Sequence, residues 1–287
     1  MLENIPNPLD YLPRLPLGDL IDKFIDWLLL YVGDFTREFS VVMRDAIRFI
    51  NDGLLTLPPL LVFAVISLIA WRMSNRSVAI FTFIGLILIY NMGLWSESIQ
   101  TLTMVLLAAA ISVAIGIPVG IASARSDNVH RIVWPVLDLM QTLPAFVYLI
   151  PVIFFFRLGV VPAIMATVIF AMPPVIRLTG LGIRQVPKEL VEASGAFGST
   201  EWQKLVKVQL PLAKPTIMAG VNQCIMLSLS MVVIAAMIGA GGLGGAVWRS
   251  IQRLDIATGF ESGLAVVVVA IILDRITQRV RDSKDEQ

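Results

Sequence analysis

A single cysteine, Cys224, and a single histidine, His130, leave little material for metal or redox chemistry. One cysteine excludes an intramolecular disulfide and a cysteine-based zinc site. Charge is scarce too: 15% of residues are charged, against about a quarter in soluble domains. Lys and Arg number 22 and Asp and Glu 21, so a net charge of +1 offers nucleic acid no basic surface. No G-x-x-x-x-G-K-[ST] run occurs, which removes a phosphate-binding loop of that kind. There is no histidine–carboxylate cluster and no nucleophile motif, so no catalytic residue and no metal ligand is assigned. What abounds is apolar: 57% of the 287 residues are hydrophobic and the mean hydropathy is +0.82. This is the composition of an integral membrane protein.

A bilayer core of about 30 Å takes about 20 apolar residues as a helix. Charge-free runs separate Asp52 from Arg72, Arg76 from Glu97, Glu97 from Arg125, Asp138 from Arg157, Arg157 from Arg177 and Lys214 from Arg249. With a weaker run interrupted by Glu261, they predict seven spans near 54–71, 77–95, 99–123, 132–156, 158–176, 216–239 and 260–276. Basic residues crowd alternate connections, above all 177–215 and the C-terminus. The positive-inside rule then puts those segments in the cytoplasm and the N-terminus outside. The fold class expected is all-α integral membrane. It divides into an N-terminal segment 1–53, two peripheral spans in 54–95, a core 96–280 holding a cytoplasmic loop 178–214, and a tail 281–287.

Residues 1–53 do not read as a signal peptide, because Glu3, Asp10, Asp19, Asp22 and Asp26 punctuate every apolar stretch. Two amphipathic helices are expected instead. Leu17, Leu20, Ile21, Phe24, Ile25 and Leu28 recur at helical spacing opposite Asp19, Asp22, Lys23 and Asp26, and Phe35, Phe39, Val42, Ala46 and Ile50 repeat the pattern.

The cytoplasmic connection carries the most information. Pro187 suits the first turn of a helix that Lys188 to Ser194 continues, with Gly195 and Gly198 interrupting it. Thr200 and Gln203 form a capping-box pattern, Trp202, Leu205 and Val206 an apolar stripe, and Pro211 a stop. Two short helices joined by a glycine elbow would make a knob outside the membrane. Its intervals are Glu192-Ala193-Ser194, three residues, Gly198, nine residues, then Val208-Gln209-Leu210-Pro211. This spacing resembles the EAA signature of ATP-binding-cassette importer permeases, with Ser194 for the second Ala and Val208 for Ile. Leu137 to Tyr148, Ile169 to Arg177 and Met237 to Gly244 further resemble the branch that imports glycine betaine, proline betaine and related compatible solutes.

The resemblance implies a type I importer permease in a bacterial cytoplasmic membrane, working as a homodimer. Two cytoplasmic ATPases would bind ATP and Mg, leaving no cofactor in this chain, and an external binding protein would deliver the solute. Glu192, Ala193, Ser194, Phe197, Gly198, Leu210 and Pro211 would form the joint with the ATPase. The resemblance assigns no solute contact. From the residues alone, Asp138, Gln141, Tyr148, Asn222, Gln223, Gly241 and Gly242 are candidates for a path or gate, since polar groups and irregular backbone in a membrane need protein or water beside them. Structural roles compete throughout, Arg177 being an obvious partner for Asp138. Trp134, Phe146 and Tyr148 suggest an aromatic cage for a quaternary ammonium group. Gly239-Ala-Gly-Gly-Leu-Gly244 matches G-x-G-x-x-G but follows a span rather than a buried strand, so a close-packed turn is expected there. Gly116 and Gly120 promise close helix approach. Pro118, Pro144, Pro151, Pro173 and Pro174 are expected to break or bend helices. Rival readings are a secondary transporter or channel, or an importer of choline, carnitine, ectoine or an amino acid.

Overall fold

A computed structural model describes residues 16–282, and every regular element in it is helical. Helix α1 (Leu17–Thr56) is one helix of 40 residues where two were expected. Gly33 lies between the two amphipathic patterns, but one glycine costs a helix only about 1 kcal/mol. The prolines do what Gly33 does not: Pro58 holds Leu57 extended (φ −72°, ψ 145°), and α2 (Pro59–Met73) leaves at 105° to α1. Leu20, Ile21, Phe24, Leu30, Phe35 and Phe49 are more than half exposed, so the described residues leave much of the apolar surface of α1 uncovered, while Ile47 is buried and Phe39 meets Phe156. Glu3, Asp10 and the end of the tail lie outside the described residues.

The seven expected spans resolve differently. Helices α2 and α3 (Arg76–Asn91) pair as a hairpin, but the 16 residues of α3 reach only about 24 Å. Helix α4 (Trp95–Arg125) is a full span. The fourth expected span is broken: α5 (Asp127–Thr142), a 3-10 turn Ala145–Tyr148 and α6 (Leu149–Phe156) bend by 112°. An apolar run does not report a bend, whereas Pro144, at φ −58° and ψ 143°, makes one. Pro118, Pro173 and Pro174 lie inside unbroken helices, so Pro144 alone among those singled out coincides with a break. Helix α7 (Val160–Arg184), the run Glu201–Ile238 and α12 (Ile256–Asp282) complete four unbroken spans among the described residues, or six with each bent pair counted as one.

Helix α7 is the centre: 67% of its most apolar stretch is buried, against 33% for α12. Contact with α4 is made through Gly116 and Gly120. A Cβ on Gly120 would stand 2.6 Å from Thr179 Cβ and 2.8 Å from the Ile176 carbonyl oxygen. No side chain fits there, so two backbones meet and dispersion replaces the hydrophobic driving force that a membrane lacks.

Candidate functional site

The connection after α7 forms the expected knob, built by identifiable local rules. Pro187 caps α8 (Lys188–Ala196), which runs through Gly195 rather than ending there. The helix closes when Gly198 N–H donates to Gly195 C=O (2.9 Å) and Ser199 N–H to Ser194 C=O (3.1 Å). That pair of bonds is a Schellman cap, and its left-handed residue is Gly198 at φ +79°. Thr200 then opens α9 (Glu201–Lys204) with a complete capping box against Gln203. Lys204 Nζ lies 2.9 Å from Glu201, and its hydrogen bond and charge hold the Glu201 carboxyl below its ordinary pKa.

Pro211 does not stop this helix. A π turn over Leu205–Gln209 joins α9 to α10 (Leu210–Ala235), and Pro211 sits in the first turn of α10. The wider turn passes Leu210 N–H to Leu205 C=O and absorbs a residue that has no N–H to give. The Trp202–Leu205–Val206 stripe also divides. Leu205 is 1% exposed among Ile183, Ala213 and Ile217, while Trp202 and Val206 face outward. Phe197 is 91% exposed at the elbow. Leu205 therefore anchors the knob to the spans, and Phe197 and Trp202 are left free to meet another surface.

Glu192 and Ala193 are exposed, Ser194 Oγ donates to Val191 C=O, and Leu210 is half-buried. No hydrogen bond from the Glu192 side chain to the elbow is present among the described residues. Its carboxylate instead lines a pocket of about 210 Å³ with Arg184, Lys188 and Gln209.

The seven path candidates fall in several places rather than one. Asp138 pairs with Arg177 at 2.5 Å, and that guanidinium lies 4.8 Å over the Trp134 ring. Gln141 is exposed on the same helix. Tyr148 donates to the Met140 carbonyl and meets Phe170 edge-on, Trp134 lies under Arg177, and Phe146 is 53% exposed, so the three form no cage among the described residues. Asn222 bonds Asp274 at 3.2 Å and also Thr277, joining α10 to α12, while Gln223 is exposed. Gly241 (φ +78°) and Gly242 (φ +63°) lie at the opposite end from the knob. There they start α11 (Gly242–Arg253), a helix the sequence reading did not contain. Gln100 Oε1 accepts from Gly242 N–H (2.9 Å) and Thr101 Oγ1 from Leu243 N–H (2.8 Å), so α4 caps α11. Arg184, Asp127, Gln100, Thr101 and Asp274 were not singled out from sequence. Their partners are 52 to 142 residues away, beyond any local spacing rule.

Among the described residues, four unbroken spans, two bent helix pairs and a capped knob on one end describe a multi-pass membrane permease of the importer type. Residues 116–283 match the family described as "Binding-protein-dependent transport system inner membrane component", and the chain belongs to that family. It is 52% identical over 276 residues to the glycine betaine transport system permease protein OpuAB of Bacillus subtilis (strain 168), covering 96% of this chain and 98% of the relative. It is 47% identical over 271 residues to the glycine betaine/proline betaine transport system permease protein ProW of Escherichia coli (strain K12), covering 94% of this chain and 77% of the relative. An inward-facing structure of the MetNI methionine ABC transporter shares the fold, with a TM-score of 0.60 at 22% identity over 66% of this chain and 95% of that one.

Proposed function

We propose that the chain is the translocating subunit of an ATP-driven importer for glycine betaine or a closely related compatible solute. Two copies would work by alternating access with two cytoplasmic ATPases and an external binding protein. ATP and Mg belong to the ATPases, and this chain supplies no ATPase site. The observation that carries the reading is near-full-length likeness to a glycine betaine permease in a chain that also holds a correctly spaced, Schellman-capped knob. Glu192, Ala193, Ser194, Phe197, Gly198, Leu210 and Pro211 form the ATPase joint. Asp138 and Asn222, each held by a neighbour, act as helix clamps, and Gln141 and Gln223 remain free to face a path.

The test is uptake of labelled glycine betaine into vesicles carrying the permease, its ATPase and its binding protein. Uptake should require internal ATP and survive ionophores; uptake that follows an ion gradient instead would overturn the reading. In the same vesicles Phe197→Ala should weaken ATPase binding about thirtyfold, as expected for loss of a central aromatic anchor worth about 2 kcal/mol.

Sidedness follows from the same reading. Arg184 reaches Asp127, which places Ser126 at the knob end with Ser199, whereas the approach of Arg249 to Glu97 (4.0 Å) places Ser96 at the other. A membrane-impermeant thiol reagent added outside should label Ser96→Cys and spare Ser126→Cys and Ser199→Cys. The native Cys224 is buried and gives no background. Labelling of position 199 from outside would invert the topology.

A further inference from the structure

Three elements converge on one side chain at the knob end. Arg184, the last residue of α7, donates through Nη2 to the Ser123 carbonyl in the last turn of α4 (2.9 Å) and to Asp127 Oδ1 in the first turn of α5 (2.9 Å). The same residue walls the pocket it shares with Lys188, Val191 and Glu192 of α8. Only Gln185, Val186 and Pro187 separate it from α8, and of these Val186 is buried. Pro187 keeps Val186 from helical backbone, so this link is short and stiff.

Helix α5 is built to move as a unit. A single extended residue, Ser126 (φ −134°, ψ 119°), joins it to α4, and at its other end the chain turns by 112° at Leu143–Pro144, with the Tyr148 hydroxyl donating back to Met140 C=O across the bend. Two ion pairs tie it to α7: Arg184–Asp127 beside the Ser126 hinge and Arg177–Asp138 further along. Ile132, Val136 and Leu139, spaced i, i+4 and i+7, are 51–70% exposed, so one apolar face has no partner among the described residues. Asp127 is 80% exposed, and an ion pair to such a group holds little on its own. That suits a contact that breaks and reforms. The bond to Ser123 keeps the guanidinium against the negative end of α4 meanwhile.

We propose that Arg184 is a positioning residue of the transport cycle, passing displacement of the knob to α5, which swings about Ser126 as a hinged arm. This rests on the coupling role proposed above. Without the guanidinium contact, α5 would follow α8 only through the α4 end, where Ser123 meets His130, and through the more distant Arg177 contacts with Asp138 and Trp134.

The test uses the complete complex in vesicles, with an environment-sensitive dye on Leu139→Cys. Dye-labelled but otherwise unaltered complex should transport and change emission when ATP and solute are added; if it shows no ATP-driven uptake, the importer reading fails rather than the relay. Asp127→Asn, at an exposed site, should assemble normally and hydrolyse ATP, yet move about twofold to thirtyfold less solute per ATP, with a matching loss of the emission change. Arg184→Gln should do the same, Arg177–Asp138 still holding α5 in place. Asp127→Glu keeps the charge and should restore most of both signals. A normal solute-to-ATP ratio and emission change in Asp127→Asn would overturn the relay. So would Asp127→Glu being as uncoupled as Asp127→Asn.

Discussion

Gly198→Val should leave the permease inserted and assembled but reduce solute uptake about fivefold to thirtyfold. The elbow needs φ +79° at this position, and a β-branched residue is a severe outlier there. Left-handed backbone costs a non-glycine residue about 1–2 kcal/mol, which is the fold-change stated. No atom lies within 4 Å of a Cβ built at Gly198, so the cost is conformational rather than steric. Gly198→Asn separates the two causes, because asparagine tolerates the left-handed region and should retain most uptake. Uptake, substrate-stimulated hydrolysis and the amount of assembled complex are measured together. Full coupling in the valine variant would remove the capped elbow from the mechanism.

Gly120→Leu should have the largest effect on stability. Here space decides, since Thr179 Cβ and the Ile176 carbonyl already occupy the position of the new side chain. Overpacking costs about 1–3 kcal/mol where neighbours can shift, and more where the neighbour is backbone. The melting midpoint in detergent should fall by on the order of 5–10 °C, with most protein lost to aggregation. Gly120→Ala should fall between, because its Cβ alone meets Thr179. Gly53→Ala on α1 has nothing within 4 Å and should be neutral or slightly stabilising. Equal melting of Gly120→Leu and the parent would mean that α4 and α7 do not meet at this residue.

These two glycines mark what sequence conveys and what it does not. The knob was legible because its rules are local. Thr200 and Gln203 are three residues apart, Gly198 closes a helix begun at Lys188, and the EAA spacing places both in one loop. The apolar spans α4, α7 and α12 were legible for the same reason. Bends were legible only through proline: hydropathy over 132–156 is alike for a straight helix and for one folded by 112°, and of the five prolines expected to break or bend helices Pro144 alone sits at a break. Pro211 misled because a π turn rescued the helix it was expected to end. Asp138 drew attention as a charge near a span, and its partner Arg177 could be guessed. Arg184 reads in sequence only as one more cytoplasmic positive charge, because Ser123 and Asp127 lie 61 and 57 residues away.

The π turn has a mechanical consequence. Through it, the helix that starts in the knob at Glu201 continues to Ile238 without a break, 38 residues in all, or about 57 Å of axle. One additional residue in the turn sets the angular phase between the two ends, since each residue of helix advances by about 100°. The direction in which Trp202 points at the knob end is thereby geared to the face that α10 turns toward Gly244 and α11 at the other end. Torque applied at one side would then reach the other through Pro215, the one proline inside this helix beyond its first turn.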